Sequence, residues 1–247
     1  MTHCRSSLRP RLTVVLLLLA LSACGDDDAS VQQPLFVVPQ NTGGYFPNPA
    51  NRYIAAGTLA YQPGRLVVVR GKGPVFPDTY PGDSIFAAAN PPGPIQLRYW
   101  SMCNNVESSP YPAVLCRADY ATALDDDGYY TYVVSLDESG TTPPTPPNWL
   151  PIDATWLPWG PTDEPNILIL RNMLPASGFT QTVQGAEAAG CTIDNQSGTT
   201  VPYTTQRTAS QCAAREMGDY YPQVAYCDQD LFVREGWQGC FAAAGVD

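Results

Sequence analysis

The chain has 247 residues, with 13 Lys plus Arg against 23 Asp plus Glu and a formal charge of −10. Nucleic-acid binding is opposed by that charge, because neutralising a phosphate backbone needs a positive surface. His3 is the only histidine and Lys72 the only lysine; beyond the first few residues there is no imidazole for a Ser–His–Asp or Cys–His site, or for a His-ligated metal.

In chain order, Arg5, Arg9 and Arg11 precede an apolar run from Leu12 to Leu21 that only Thr13 interrupts, and Leu21-Ser22-Ala23-Cys24 follows. A charged start, a short apolar stretch and small residues make a secretory signal, and the run is too short for a permanent membrane span. Leu-Ser-Ala-Cys resembles the lipobox of bacterial lipoproteins. By that resemblance the signal is residues 1–23, cleavage falls before Cys24, and Cys24 carries the lipid. Several acyl chains on one residue hold a protein at a membrane far more firmly than one chain does. Gly25 in place of an aspartate departs from the usual inner-membrane retention signal, so the expected address is the cell envelope at the outer membrane. Residues 24–49, opening with Asp26-Asp27-Asp28, are expected to form a solvated tether, with Leu35 to Val38 as a possible early edge strand. Removing the signal leaves 224 residues and a formal charge of −13.

With 25 prolines and 20 glycines, short strands and frequent turns are expected through most of the chain. Tyr53–Tyr61 and Arg65–Lys72 flank Gln62-Pro63-Gly64 and read as a hairpin. Ile95–Cys103 alternates as a strand. Ala113–Tyr120 and Gly128–Leu136 flank Asp125-Asp126-Asp127-Gly128 and read as a second hairpin. Ser139–Pro165 reads as a long ordered loop pinned by Trp149, Trp156 and Trp159, and Asn166–Leu174 as a further strand. Phe179–Ala189 and Ala209–Met217 read as helices. The expected fold is mainly β: an antiparallel β-sandwich or jelly-roll-like core over 50–175, with a smaller helical, disulfide-stapled segment over 176–247.

Setting aside Cys4 and Cys24 leaves Cys103, Cys116, Cys191, Cys212, Cys227 and Cys240. An even number in an exported chain implies disulfides, and six cysteines allow fifteen pairings. Sequence proximity favours Cys103–Cys116, Cys191–Cys212 and Cys227–Cys240. There is no C-x-x-C, so neither thioredoxin-like exchange nor tetrathiolate zinc is indicated. The three aspartates before Gly128 offer oxygen ligands for calcium but lack the EF-hand spacing and read as a turn. No metal and no cofactor is expected.

Four stretches, RGKGPVFPDTYPGD, QLRYWSMCNN, LDDDGYYTYVVSL and LILRNMLPASGF, resemble an uncharacterised family of exported bacterial proteins over roughly residues 45–185. The resemblance implies export and a β-rich fold, with no activity attached. The candidate binding residues are Arg70, Lys72, Asp78, Arg98, Trp100 and Arg171. In a chain so poor in base, these arginines and Lys72 could line a site for a small anion, with Asp78 orienting one of them. The alternative is that they pair with surface carboxylates. The aromatic residues could instead form stacking platforms for sugar rings, or fill the core. The resulting expectation is an anchored, non-catalytic module that meets the membrane through its lipid and binds an envelope protein, a glycan or other polymer, or a small anion, but no nucleic acid. Its alternative is a carbohydrate-binding module or a glycan-cleaving enzyme using carboxylates from Asp78, Asp83, Asp125 and Asp127.

Overall fold

The computed structural model describes residues 32–40, 50–80, 89–139, 141–194 and 200–246. The signal, Cys24, most of the tether and Asp83 lie outside them. Every element below belongs to one compact unit, Gln33–Asp247.

In chain order these are β1 (Val38–Pro39), β2 (Asn51–Leu59), β3 (Arg65–Lys72), β4 (Phe76–Pro77), β5 (Ala89–Asn90), β6 (Leu97–Val106), β7 (Ala113–Ala118), β8 (Tyr129–Ser135), β9 (Ala154–Pro158) and β10 (Asn166–Pro175). They are followed by α1 (Val183–Ala188), β11 (Thr192–Ile193), α2 (Tyr203–Met217), β12 (Gln223–Asp228) and α3 (Gln229–Ala244). The strands form two four-stranded sheets, β2-β10-β6-β7 and β12-β3-β8-β9, and two small pairs, β1-β11 and β4-β5.

The expected antiparallel sandwich or jelly roll is not formed. Both four-stranded sheets are open, β8–β9 and β1–β11 run parallel, and three helices complete a mixed α/β fold. The reason lies in the pairing. β2 and β3 were expected to be hairpin partners, yet β2 pairs with β10 and β3 with β12 and β8. β7 and β8, the second expected hairpin, pair with β6 and with β3 and β9. The turns themselves are real. Gly128 has φ +80°, which only glycine adopts without strain, and its N–H donates to Asp125 O. These turns redirect the chain from one sheet to the other.

The loop ahead of Ala154 connects two parallel strands, which a tight turn cannot do. Within the proline-rich stretch Trp156 and Leu157 are buried on β9 and Trp159 is buried just beyond it. Trp149 packs edge-on against Phe232 of α3 at 6.1 Å. The C-terminal segment is more than an appendage, since it supplies β12 to the second sheet.

The six cysteines pair as Cys103–Cys116, Cys191–Cys212 and Cys227–Cys240. The first joins directly opposed residues of β6 and β7. The second joins the turn after α1 to α2, and the third ties β12 to α3. Cys227 and Cys240 sit in an apolar cluster with Leu66, Val68, Val133, Phe232 and Phe241, so the third bond fixes the helix that covers β3. Sequence 33–40 also packs inward. Phe36 is fully buried, its carbonyl accepts from Tyr221 Oη, and Gln33 O accepts from Tyr203 Oη.

Replacing Cys227 and Cys240 together by alanine is expected to lower unfolding stability by about 3 kcal/mol, the value for a loop of this size. Urea denaturation checks this, and an unchanged midpoint would contradict the role given to the bond.

Candidate functional site

Residues 76–80, the N-terminal half of β6 and the 3-10 turn Asp119–Ala121 surround a cleft of about 90 Å³. Phe76, Asp78, Tyr80, Arg98, Asp119 and Tyr120 line it. Trp100 lies beneath and is fully buried.

Local structure explains the placement. Arg98, Trp100 and Met102 share one face of β6, because side chains alternate along a strand. Trp100 and Met102 fill the interior, while Arg98, nearer the strand's start, opens into the cleft. β7 pairs with β6 so that Ala118 faces Ser101. The next residue, Asp119, is thereby set beside Trp100, whose backbone N–H donates to its Oδ2 at 3.1 Å. Tyr120 N–H donates to Asp119 Oδ1 at 2.9 Å. On the other wall the indole N–H of Trp100 donates to Pro74 O at 3.0 Å. Val75 N–H donates to Gln96 Oε1 and Val75 O accepts from Gln96 N–H and Leu97 N–H. Phe76 meets Trp100 edge-on at 6.4 Å. This stretch then delivers Asp78, whose Oδ1 is buried without a hydrogen-bond partner among the described residues.

Three charges therefore meet here with capacity left over. Asp119 is 5% exposed, and burial is the largest influence on it. Hydrogen bonds from Tyr120 and Trp100 and the charge of Arg98 oppose that influence and Asp78 adds to it, leaving its pKa raised to about 6. The Arg98 side chain makes no ion pair or hydrogen bond among the described residues. At the mouth Tyr80 and Tyr120 stack, with centroids 3.9 Å apart and planes 16° apart. They are 68% and 44% exposed, which sets them apart from the buried tryptophans 100, 156 and 159.

The other candidate residues go elsewhere. Arg70 shares a face of β3 with Leu66 and Val68, the face that α3 covers. Its guanidinium lies 4.0 Å from the Trp237 ring centroid and 4.9 Å from that of Tyr129. It donates to Asp125 Oδ2 at 2.5 Å and Thr131 Oγ1 at 2.9 Å. Lys72 Nζ stands 5.6 Å over Tyr129, and the Arg171 guanidinium 5.2 Å over Tyr53. The single anion site imagined for Arg70, Lys72 and Arg98 is thus not assembled. Asp78, Arg98 and Trp100 do come together. Asp119, Tyr80 and Tyr120 were missed; Asp119 directly follows β7, and the strand pattern alone does not show that β7 returns beside Trp100.

Of the carboxylates considered for catalysis, Asp125 is committed to Arg70 and to the N–H groups of Asp127 and Tyr129. Burial pushes its pKa up, but Arg70 and those N–H groups prevail and hold it below the usual carboxylate value. Asp127 is exposed on the turn. Among the described residues no group of three or more His, Cys, Asp or Glu could hold a metal ion.

No family model matches the sequence, and no curated protein matches it. Two crystal structures align over part of the chain. One is an uncharacterized protein from Burkholderia cenocepacia, 13% identical, covering 76% of this chain and 43% of its own, with a TM-score of 0.35. The other is the VPA0106 protein from Vibrio parahaemolyticus, 17% identical, covering 56% of this chain and 29% of its own, with a TM-score of 0.33. This chain spans less than half the length of either.

The raised pKa of Asp119 sets the sign of a pH effect. Between the unfolded value of 3.8 and about 6 the folded state binds the extra proton, so this residue's contribution to stability falls as pH rises through that window. Asp125 acts oppositely: its contribution is present above the usual carboxylate range and is lost on acidification. The stability difference between the native protein and Asp119→Asn is expected to shift by about 2 kcal/mol against the native protein from pH 4 to pH 7. Urea unfolding across that range measures it, and a difference independent of pH would contradict the burial of the carboxyl.

Proposed function

We propose that the protein is a lipid-anchored module of the cell envelope that binds a ligand in the Asp78–Arg98–Asp119 cleft and performs no chemistry on it. The observation that carries the binding part is the cleft itself. A buried carboxylate oxygen without a partner costs free energy, and Arg98, which makes no ion pair or hydrogen bond among the described residues, stands beside it. Where a fold keeps such groups at the mouth of a cavity, a ligand that bonds to them recovers the cost.

Three things support the export and anchoring part. The signal and lipobox precede the fold, the charge favours solvation in an extracytoplasmic space, and the three disulfides suit an oxidising compartment. Because Gln33 is already bonded to the folded unit, eight residues, 25–32, lie between Cys24 and it. A fully extended chain of that length reaches about 30 Å. With the lipid at Cys24, a connection of this length keeps the binding unit close to the bilayer surface. Of the other carboxylates considered for glycan cleavage, Asp125 is committed to Arg70 and its own turn, and Asp127 stands exposed on that turn.

Expression in a bacterial host fed a clickable palmitate analogue tests the anchor. Label is expected on the native chain and absent from Cys24→Ala, which should also leave the membrane fraction. An unlabelled native chain would remove the anchor from the reading.

A further inference from the structure

Resting on the cleft as the binding site, we infer that its ligand is a neutral saccharide, held by the edge of one pyranose ring. Size comes first. A cavity of about 90 Å³ holds several water molecules. It is large enough to take the hydroxyl groups along one edge of a sugar ring and too small for a polymer.

The chemistry of the floor narrows the class further. Asp78 and Asp119 offer acceptors only when ionised, and Arg98 offers donors only. Both oxygens of Asp119 already accept one backbone N–H, which leaves each with a lone pair. A phosphate or carboxylate would satisfy Arg98 but meet two carboxylates, and an ammonium group would satisfy the carboxylates but meet Arg98. A vicinal diol donates to the carboxylates and accepts from the guanidinium, so it fits both halves without adding charge.

The mouth supplies the rest. Tyr80 is the more exposed of the stacked pair, and an aromatic face carries negative potential. The C–H groups on one face of a pyranose carry a partial positive charge and are apolar enough to lie on it. The ring that projects from the cleft therefore finds a platform beside the polar floor. Tyr120 backs that platform, and its own N–H orients Asp119. Of the aromatic residues considered for such platforms, Trp100, Trp156 and Trp159 are taken up by the core.

The experiment uses the full mature lipoprotein in a detergent without a sugar headgroup. Saturation-transfer NMR is run with methyl glycosides of glucose, galactose, mannose and N-acetylglucosamine, alongside inorganic phosphate and methylammonium followed by protein chemical shifts. At least one glycoside is expected to bind, with the strongest transfer at two adjacent ring positions. Tyr80→Ala and Asp78→Asn are each expected to weaken it tenfold or more while the melting temperature stays within a few degrees. Binding that survives both substitutions would place the sugar elsewhere and overturn the inference. If no glycoside binds but phosphate or methylammonium shifts the resonances of the cleft, the saccharide class is wrong and the site reading stands. If none of the probes disturbs the cleft, both fall.

Discussion

Trp100 holds two segments of chain, 74–78 and 119–120, that would otherwise have no reason to meet. Its indole N–H is bonded to Pro74 O and its backbone N–H to Asp119 Oδ2. Its ring packs against Phe76 on one side and Tyr130 of the other sheet on the other, the latter at 5.5 Å. Gly73 shows how close the packing is, since a Cβ there would lie 3.3 Å from the indole and 2.8 Å from Leu124. A buried indole that lost its acceptor would leave a polar group unpaired, at a cost of roughly 1–3 kcal/mol. One residue therefore couples the interior to the geometry of the cleft, since Asp119 is bonded to it directly and the stretch that leads to Asp78 is bonded to it through Pro74 O.

The contrast between Arg70 and Arg98 shows how the fold divides its scarce cations. Arg70 is boxed by two aromatic rings, a carboxylate and a hydroxyl, and α3, held to β12 by the Cys227–Cys240 bond, supplies one of those rings. Its role is to fasten the C-terminal helix over β3 and to fix the Asp125 turn. Such a half-buried, doubly stacked guanidinium has little left to offer a ligand. Arg98 sits at the start of a strand in the lining of the cleft and makes no ion pair or hydrogen bond among the described residues, so its donors remain available. Position in the fold rather than residue type decides which arginine is structural.

Much of the strand content could be read from the sequence, because Arg65–Lys72, Gly128–Leu136 and Asn166–Leu174 carry strong apolar runs. Sheet membership could not. Gln62-Pro63-Gly64 and Asp125-Asp126-Asp127-Gly128 are genuine turn sequences, but a turn fixes only the local reversal and not which strand each arm bonds to. The partners of β3 and β10 lie far along the chain. β9 was hidden because its five residues are embedded in proline-rich sequence and pair in parallel, with no hairpin to announce them. β12 was hidden between two helices. At the site, the scarcity of base drew attention to Arg98 and the motif to Trp100 and Asp78. Asp119 carried no signal of its own, and its part follows from the β6–β7 register. The aromatic residues illustrate the same limit, since Trp156 and Trp159 look like Tyr80 in sequence and differ from it only in burial.

The most direct test of this account is the hydrogen exchange of the Trp100 indole N–H, followed in nitrogen-15-labelled protein after transfer to heavy water. If that group pins both walls of the cleft from within the core, its signal should persist as long as the amides of Val68 and Val133 at the sheet centre. Loss of the signal within minutes, while those amides remain protected, would mean that the walls open freely and that no preformed cleft exists.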